Sequence, residues 1–159
     1  MIFPRGLAAR AFDSAMAGNL ENIHTLLRSS PSQRLLDVGC DDGRRTMEFA
    51  RSAGASEVFG FEAVDERAEA ARALGITTAT GDAADGLPYE DESFDAVISN
   101  QVIEHMHDTD GFVRECRRVL RPGGLLIVST ENLASWHNVA ALVFGWQPFS
   151  LTNVSSTTP

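Results

Sequence analysis

The 159-residue chain has no lysine, only two cysteines and no long apolar run. All 13 of its basic residues are arginines, a bias to which we assign no function. Cys40 and Cys116 match no disulfide, zinc or redox spacing, so we expect a reduced, cytoplasmic protein without a structural metal. The longest apolar stretch, 133–146, is shorter than the about 20 residues of a membrane-spanning helix, and the first twenty residues lack a signal peptide's apolar core.

The charge balance disfavours a further class of function. The chain has 22 acidic and 13 basic residues, a net charge of -9 and 43% hydrophobic residues. A surface of that sign repels phosphate backbones, so we expect no nucleic-acid partner and, with no spanning segment, no membrane partner. The composition is that of an ordinary globular protein, and the length is that of one domain.

Apolar residues recur alternately at helical and at strand spacing. The spacing predicts a leading helical arm over 1–30, with a break near Gly18 and Asn19. The predicted strands are 35–38, 58–61, 76–80, 94–99 and 125–129, and the predicted helices between them are 43–53, 65–74 and 109–120. Short apolar strands that alternate with helices favour parallel pairing and right-handed crossovers. The sequence therefore predicts an α/β fold, a doubly wound Rossmann-like parallel sheet of about five strands.

The same pattern suggests how the chain is divided. We predict one domain over 1–150, composed of the arm (1–30), a core (33–130) and a helix or lid (131–150). Residues 151–159 form a polar tail that we expect to be flexible.

Ligands of such sheets bind beyond the C-terminal ends of the strands. The loop after the first strand contains Gly39 and Gly43, which permit close backbone approach. It lacks the middle glycine of a dinucleotide loop and has Asp41 and Asp42 where a pyrophosphate needs positive potential. We therefore expect a ligand with ribose, adenine and a cationic end, and Asp37 or its acidic neighbours can accept from an ammonium group.

Two other strand ends carry acidic residues. Glu62 ends the second strand, where its two carboxylate oxygens can accept from both ribose hydroxyls. Asp82 follows the third strand and is placed to accept from an adenine amino group, while the amide of Ala83 meets a ring nitrogen. The alternative role for Asp82 is to cap a turn.

Taken together, these segments resemble class I S-adenosylmethionine-dependent methyltransferases, over about residues 33–130. The resemblance rests on five segments: 35–43, 61–62, 81–83, 94–100 and 119–125. It implies S-adenosylmethionine as cofactor, with its methionine part framed by Asp37, Gly39 and Gly43. It also implies that Glu62 holds the ribose and that Asp82 with Ala83 reads the adenine. Cys40 and Asn100 complete the implied cofactor-binding set.

The segment 100–105, together with 129–132, is similar to quinone-pathway O-methyltransferases. That similarity implies a hydroxyl acceptor, for which His105 is the candidate general base and Glu104 its catalytic neighbour. The alternative role for His105 is a structural hydrogen bond, and His107 is expected at the surface. Some relatives bind a metal through an E-x-x-E-H sequence, but Gln101 replaces the first acid here and we predict no metal.

The leading hypothesis is methyl transfer from S-adenosylmethionine to a hydroxyl oxygen of a small molecule. The alternative is a non-catalytic or partner-dependent S-adenosylmethionine-binding protein with a truncated fold. The family usually adds a helix and an antiparallel hairpin after the fifth strand, and some or all of that hairpin is expected to be absent. An open fifth-strand edge would then favour a homo-oligomer. A nicotinamide oxidoreductase is disfavoured by the acidic first loop.

Overall fold

The computed structural model describes residues 5–30, 32–132, 136–143 and 145. Their helices and strands, in chain order, are α1 (Arg5–Ser29), β1 (Arg34–Val38), α2 (Arg44–Ala53), β2 (Glu57–Glu62), α3 (Asp65–Ala73), β3 (Thr77–Thr80), β4 (Phe94–Asn100), α4 (Thr109–Val119), β5 (Leu120–Ser129) and α5 (Trp136–Val143). Glu21–Thr130 form one compact unit, and the described residues outside that range belong to a second. The division into arm, core and lid stays a prediction.

The five described strands form one parallel sheet in the order β3-β2-β1-β4-β5. Parallel neighbours need crossover connections, which α2, α3 and α4 supply between β1 and β2, β2 and β3, and β4 and β5. The predicted α/β Rossmann-like fold is confirmed. Strand order reverses between β1 and β4, and ligands of open α/β sheets bind beside that reversal, outside the C-terminal strand ends.

The core explains why β1 reads as an apolar run. Leu35, Leu36 and Val38 are completely buried in the middle of the sheet. A parallel strand covered by helices on both faces has no solvent side, so its apolar residues do not alternate with polar ones. Phe112 of α4 packs in the same cluster as Leu36 and Val38, and Phe49 of α2 is also buried. This packing of α2 and α4 against the sheet fixes the positions of the C-terminal strand ends.

The predicted break in the first helix is wrong, because α1 continues through Gly18 and Asn19. A glycine inside a helix costs about 1 kcal/mol relative to alanine. Burial of one Ile or Leu side chain contributes about 1.5–3 kcal/mol, and both Ile23 and Leu27 of this helix are buried. The packing of the following turns outweighs the local cost.

The last strand also differs from its prediction. β5 begins at Leu120, five residues before the predicted start at Leu125. Leu120 pairs with Phe94 and Leu125 with Ala96, so the residues between them form a bulge instead of a separate turn. Two short 3-10 turns, Ala83–Asp85 and Ile103–His105, follow β3 and β4 and had no counterpart in the predicted elements. No described helix is long and apolar enough to cross a bilayer.

Candidate functional site

The loop between β1 and α2 depends on its two glycines. Gly39 and Gly43 have φ values of 82° and 80°, in the left-handed region that side chains disfavour. A Cβ at Gly39 would overlap the side chain of Val102, and one at Gly43 would lie 2.6 Å from Cδ1 of Ile76. Both positions therefore need glycine for the fold itself, before any ligand is considered.

A cavity of about 470 Å³ opens at the C-terminal ends of β1 and β4. Four of the predicted cofactor-binding residues line it: Asp37, Gly39, Cys40 and Asn100. The cavity lies beside the reversal of strand order and has the size of a small-molecule site. Asp37 and Gly39, which were assigned to the methionine part of the cofactor, thus line one cavity, whereas Gly43, the third residue of that set, does not.

Asp37 is the buried charge of this cavity. It is 3% exposed, and its Oδ2 accepts a hydrogen bond of 2.6 Å from Oγ1 of Thr46. Burial raises the pKa of Asp37 to about 6, and the hydrogen bond from Thr46 opposes that rise. A carboxylate that has lost its water is stabilised by a cationic partner, so this group fits the ammonium end of an amino-acid ligand.

Glu62 holds the loops after β1 and β2 together. Its Oε2 accepts from the amide of Asp41 at 2.9 Å and its Oε1 from the amide of Val64 at 3.0 Å. Each carboxylate oxygen has two acceptor positions, so both oxygens keep one for a further donor. Glu62 is 9% exposed, which places a nearly buried acceptor at the same edge of the sheet as the cavity.

Asp82 takes the capping role that was its alternative. Its Oδ1 accepts from the amide of Ala84 at 2.9 Å and caps the 3-10 turn Ala83–Asp85. The Asp82 side chain is exposed beyond the end of β3, and Ala83 is half-buried beside it. The adenine-binding role of the pair stays a prediction.

The end of β4 is shaped by an unusual backbone. Oδ1 of Asn100 accepts a 2.6 Å hydrogen bond from Oγ of Ser129, which ties β4 to β5. The next residue, Gln101, has a φ of 62°, a conformation rarely adopted by residues with a side chain. Such backbone strain is concentrated at functional sites, and Gln101 also lines the cavity.

The candidate catalytic residues lie just beyond this point. Glu104 and His105 are exposed on the turn Ile103–His105, and neither lines the cavity. The amide of His105 donates to the carbonyl of Val102 at 2.9 Å, and His107 is exposed. Within the described ranges, no group of three or more histidine, cysteine or acidic side chains is arranged to hold a metal ion.

Arginine side chains offset the acidic residues of the first loop. Asp41 pairs with Arg67 of α3, and Oδ2 of Asp42 lies 3.3 Å from Nε of Arg44. Arg44 and Arg45 both line the cavity. Each of these two carboxylates is thus paired with an arginine, and the expectation of a cationic ligand end rests on the buried Asp37 instead.

Sequence reasoning missed these arginines and Thr46. Arg44 and Arg45 directly follow Gly43, so their position in the first turn of α2 was a usable signal. The Thr46 hydroxyl reaches Asp37 only because the loop folds the chain back by nine residues. Arg67 comes from a separate helix, and no motif in the sequence indicated its pairing with Asp41.

A parallel α/β sheet with a glycine loop and acidic residues at its C-terminal edge is the architecture of nucleotide-binding proteins of the Rossmann type. Residues 36–128 match the family described as a methyltransferase domain. The chain belongs to the S-adenosylmethionine-dependent methyltransferase family.

Two similar proteins illustrate the relationship. The chain is 37% identical over 130 residues to the ubiquinone biosynthesis O-methyltransferase of Parvibaculum lavamentivorans, covering 72% of this chain and 49% of that protein. The crystal structure of an S-adenosylmethionine-dependent methyltransferase from Mesorhizobium loti aligns with a TM-score of 0.58 and 30% identity, over 68% of this chain and 53% of the other.

A third similarity is to a protein named for a different reaction. The crystal structure of the [4+2]-cyclase SpnF aligns with a TM-score of 0.56 and 31% identity, over 67% of this chain and 43% of the other.

The chain spans 40% of one curated relative, the ubiquinone biosynthesis O-methyltransferase of Chelativorans, and 49% of the Parvibaculum protein. The similarity therefore covers less than half of each of these two proteins.

Proposed function

We propose that the chain binds S-adenosylmethionine across the C-terminal ends of β1, β2 and β3. The buried Asp37 in the cavity is the observation that carries the proposal, because it favours a cationic ligand end. Glu62 accepts from the ribose hydroxyls, while Asp82 and Ala83 receive the adenine. Gly39, Cys40, Gly43 and Asn100 shape the space for the methionine part.

Calorimetric titration of the chain tests this assignment. S-adenosylhomocysteine, the demethylated cofactor, is expected to bind in the micromolar range, and NAD is expected to give no heat because its diphosphate meets the buried Asp37. Binding of NAD together with no binding of S-adenosylhomocysteine would overturn the proposal.

The proposed reaction is transfer of the methyl group to a hydroxyl oxygen of a small-molecule acceptor. S-adenosylmethionine supplies a methyl group bonded to a cationic sulfur. The carbon–sulfur bond breaks as the carbon–oxygen bond forms, and the hydroxyl proton passes to His105, with Glu104 beside it. The Parvibaculum relative, named as an O-methyltransferase, supports oxygen as the acceptor atom. A chain with a net charge of -9 favours a small molecule over a nucleic acid.

Two neighbouring histidines allow a matched test of the base. General base catalysis contributes about 10²–10⁴-fold to a rate, so His105→Gln is expected to lower the methyl-transfer rate by that factor. His107→Gln, also exposed and two residues away, is the control and is expected to keep the wild-type rate. Radiolabelled methyl transfer to a panel of phenols measures both. If both variants keep the wild-type rate of methyl transfer, His105 is not the general base.

A second candidate is a cofactor-binding protein that does not transfer methyl groups, or does so only together with a partner. Its support is the 31% identity to a structure named as a [4+2]-cyclase. The two candidates differ in one measurement. Tight binding of S-adenosylhomocysteine with no methyl transfer to any acceptor favours the second.

The edge of the sheet suggests self-association. Among the described strands, β3 and β5 lie at the two edges of the sheet, and β5 pairs with β4 alone. An open edge of this kind pairs readily with another strand, and we assign it to a homo-oligomer contact. Light scattering that shows a monomer at all concentrations would contradict this.

The free, buried Cys40 and Cys116 support a reducing cytoplasmic location.

A further inference from the structure

One pair of side chains on α4 holds both backbone groups of Leu87. Oε2 of Glu115 accepts from the Leu87 amide at 3.1 Å, and Nη2 of Arg118 donates to the Leu87 carbonyl at 2.9 Å. Glu115 and Arg118 also bind each other through two hydrogen bonds, of 3.0 and 2.9 Å. A bidentate arginine–carboxylate pair of this kind has a defined geometry, so it holds the backbone of Leu87 in a fixed position.

Arg118 also binds two further residues of the segment that follows Leu87. Its Nη1 donates to the carbonyl of Tyr89 at 2.8 Å and to Oδ1 of Asp91 at 2.7 Å. The hydroxyl of Tyr89 donates in turn to the carbonyl of Gly60 in β2 at 2.8 Å. The segment 87–91 is therefore fixed between α4 and the sheet, although it has no regular secondary structure.

The turn that contains Asp82 and Ala83 leads directly into this segment. Gly86 closes the turn with a φ of 101°, and its amide bonds to the carbonyl of Ala83 at 3.4 Å. A Cβ at Gly86 would lie 3.3 Å from Oε2 of Glu115, so the turn passes close to the α4 pair. β3 anchors the turn at its start, and the Glu115–Arg118 pair anchors it at its end.

We propose that Glu115 and Arg118 are positioning residues for adenine recognition by the turn 82–86. They do not touch the cofactor but hold the Asp82 carboxylate and the Ala83 amide at the distance that the purine requires. The inference rests on the proposed cofactor function. It predicts that loss of the pair weakens recognition of the purine amino group and of the ring nitrogen that Ala83 meets, and leaves the ribose and methionine contacts made by Glu62 and Asp37.

The test compares two ligands and two arginine variants. Calorimetry measures S-adenosylhomocysteine and S-inosylhomocysteine, in which a carbonyl oxygen replaces the purine amino group and the adjacent ring nitrogen carries a hydrogen. The wild-type chain is expected to prefer the adenine ligand. Arg118→Met is expected to lose about tenfold in affinity for the adenine ligand and much less for the inosine ligand. The ratio of the two affinities therefore falls towards one. Arg121→Met is the control, because Arg121 bonds to Asp95 and the carbonyl of Glu92 instead.

The outcomes separate this inference from the function on which it rests. If the wild-type chain binds neither ligand, the proposed function fails and the inference with it. If the wild-type chain prefers the adenine ligand and Arg118→Met keeps the same preference, or loses both ligands equally, only the positioning role is overturned. Should Arg118→Met fail to fold, Glu115→Gln takes its place. The Gln oxygen still accepts from the Leu87 amide while the charged pair is lost, and the same narrowing of preference is expected.

Discussion

The loop after β1 and the turn after β3 serve the same edge of the sheet but are built differently. At the first, Asp37 of β1 and Cys40 of the loop are each 3% exposed, and the conformation depends on two glycines within the loop. In the second, Asp82 is exposed, and the conformation depends on side chains from α4 about thirty residues away in the chain. The first structure is partly buried and depends on glycines of its own, and the second is an exposed structure supported from a distance.

This difference has an energetic consequence. Changes in the first loop alter buried groups, so they affect the stability of the fold and ligand binding together. Changes in the second turn alter groups in contact with water, so their effect on folding is small even where their effect on a ligand is large. Three substitutions test this contrast.

The largest effect is expected for Gly39→Ala. The left-handed backbone costs the variant about 1–2 kcal/mol, and the overlap with Val102 costs about 1–3 kcal/mol more. We expect the free energy of unfolding to fall by about 2–5 kcal/mol, measured by urea denaturation, and binding of S-adenosylhomocysteine to be lost.

Gly54→Ala is the matched control. Gly54 has a φ of 68°, but a Cβ at this position would have no other atom within 4 Å, so its variant is destabilised by the backbone conformation alone. A decrease of about 1–2 kcal/mol is expected there. Equal losses at the two glycines would show that close packing of the first loop is unimportant.

The contrast also explains how far the sequence could predict the site. Gly39, Gly43 and the buried run of β1 are local signals, and they indicated part of the cavity lining, although Arg44 and Arg45 were missed. Arg67 beside Asp41 was not predictable, because the two residues are 26 positions apart and belong to no shared motif.

The turn after β3 shows the same limit. Its acidic residue could be identified from Gly81-Asp82-Ala83, and both of its possible roles were foreseen. Its support could not be identified, since nothing in the spacing of Glu115 and Arg118 on α4 links them to the backbone of Leu87. Long-range hydrogen bonds to the backbone leave no periodic pattern in a sequence.

An intermediate effect is expected from the ionisation of Asp37. The pKa of this carboxyl is about 6 in the folded chain, against an ordinary value of 3.8. The folded state therefore binds the proton more tightly, and stability falls as the pH rises from about 4 to about 6. A difference of one in pKa corresponds to about 1.4 kcal/mol, so the total fall is about 3 kcal/mol.

Asp37→Asn isolates this contribution. The amide cannot ionise, so the difference in unfolding free energy between the variant and the wild type should grow in favour of the variant from about pH 4 to about pH 6. The pKa values of Asp95 and Glu115 are lowered, which makes the whole chain less stable in acid, but both proteins share that effect. A difference that does not change with pH would mean that burial does not perturb the ionisation of Asp37.

The smallest effect on stability is expected at the exposed turn. Asp82→Ala removes the cap on the amide of Ala84, which costs about 0.5–1 kcal/mol. If Asp82 also accepts from adenine, the affinity for S-adenosylhomocysteine falls by about tenfold, because a ligand hydrogen bond is lost as well. Asp85→Ala, an exposed change in the same turn, is expected to preserve both quantities. A loss of stability without a loss of affinity would limit Asp82 to its capping role and leave the purine to be recognised by backbone groups of the turn.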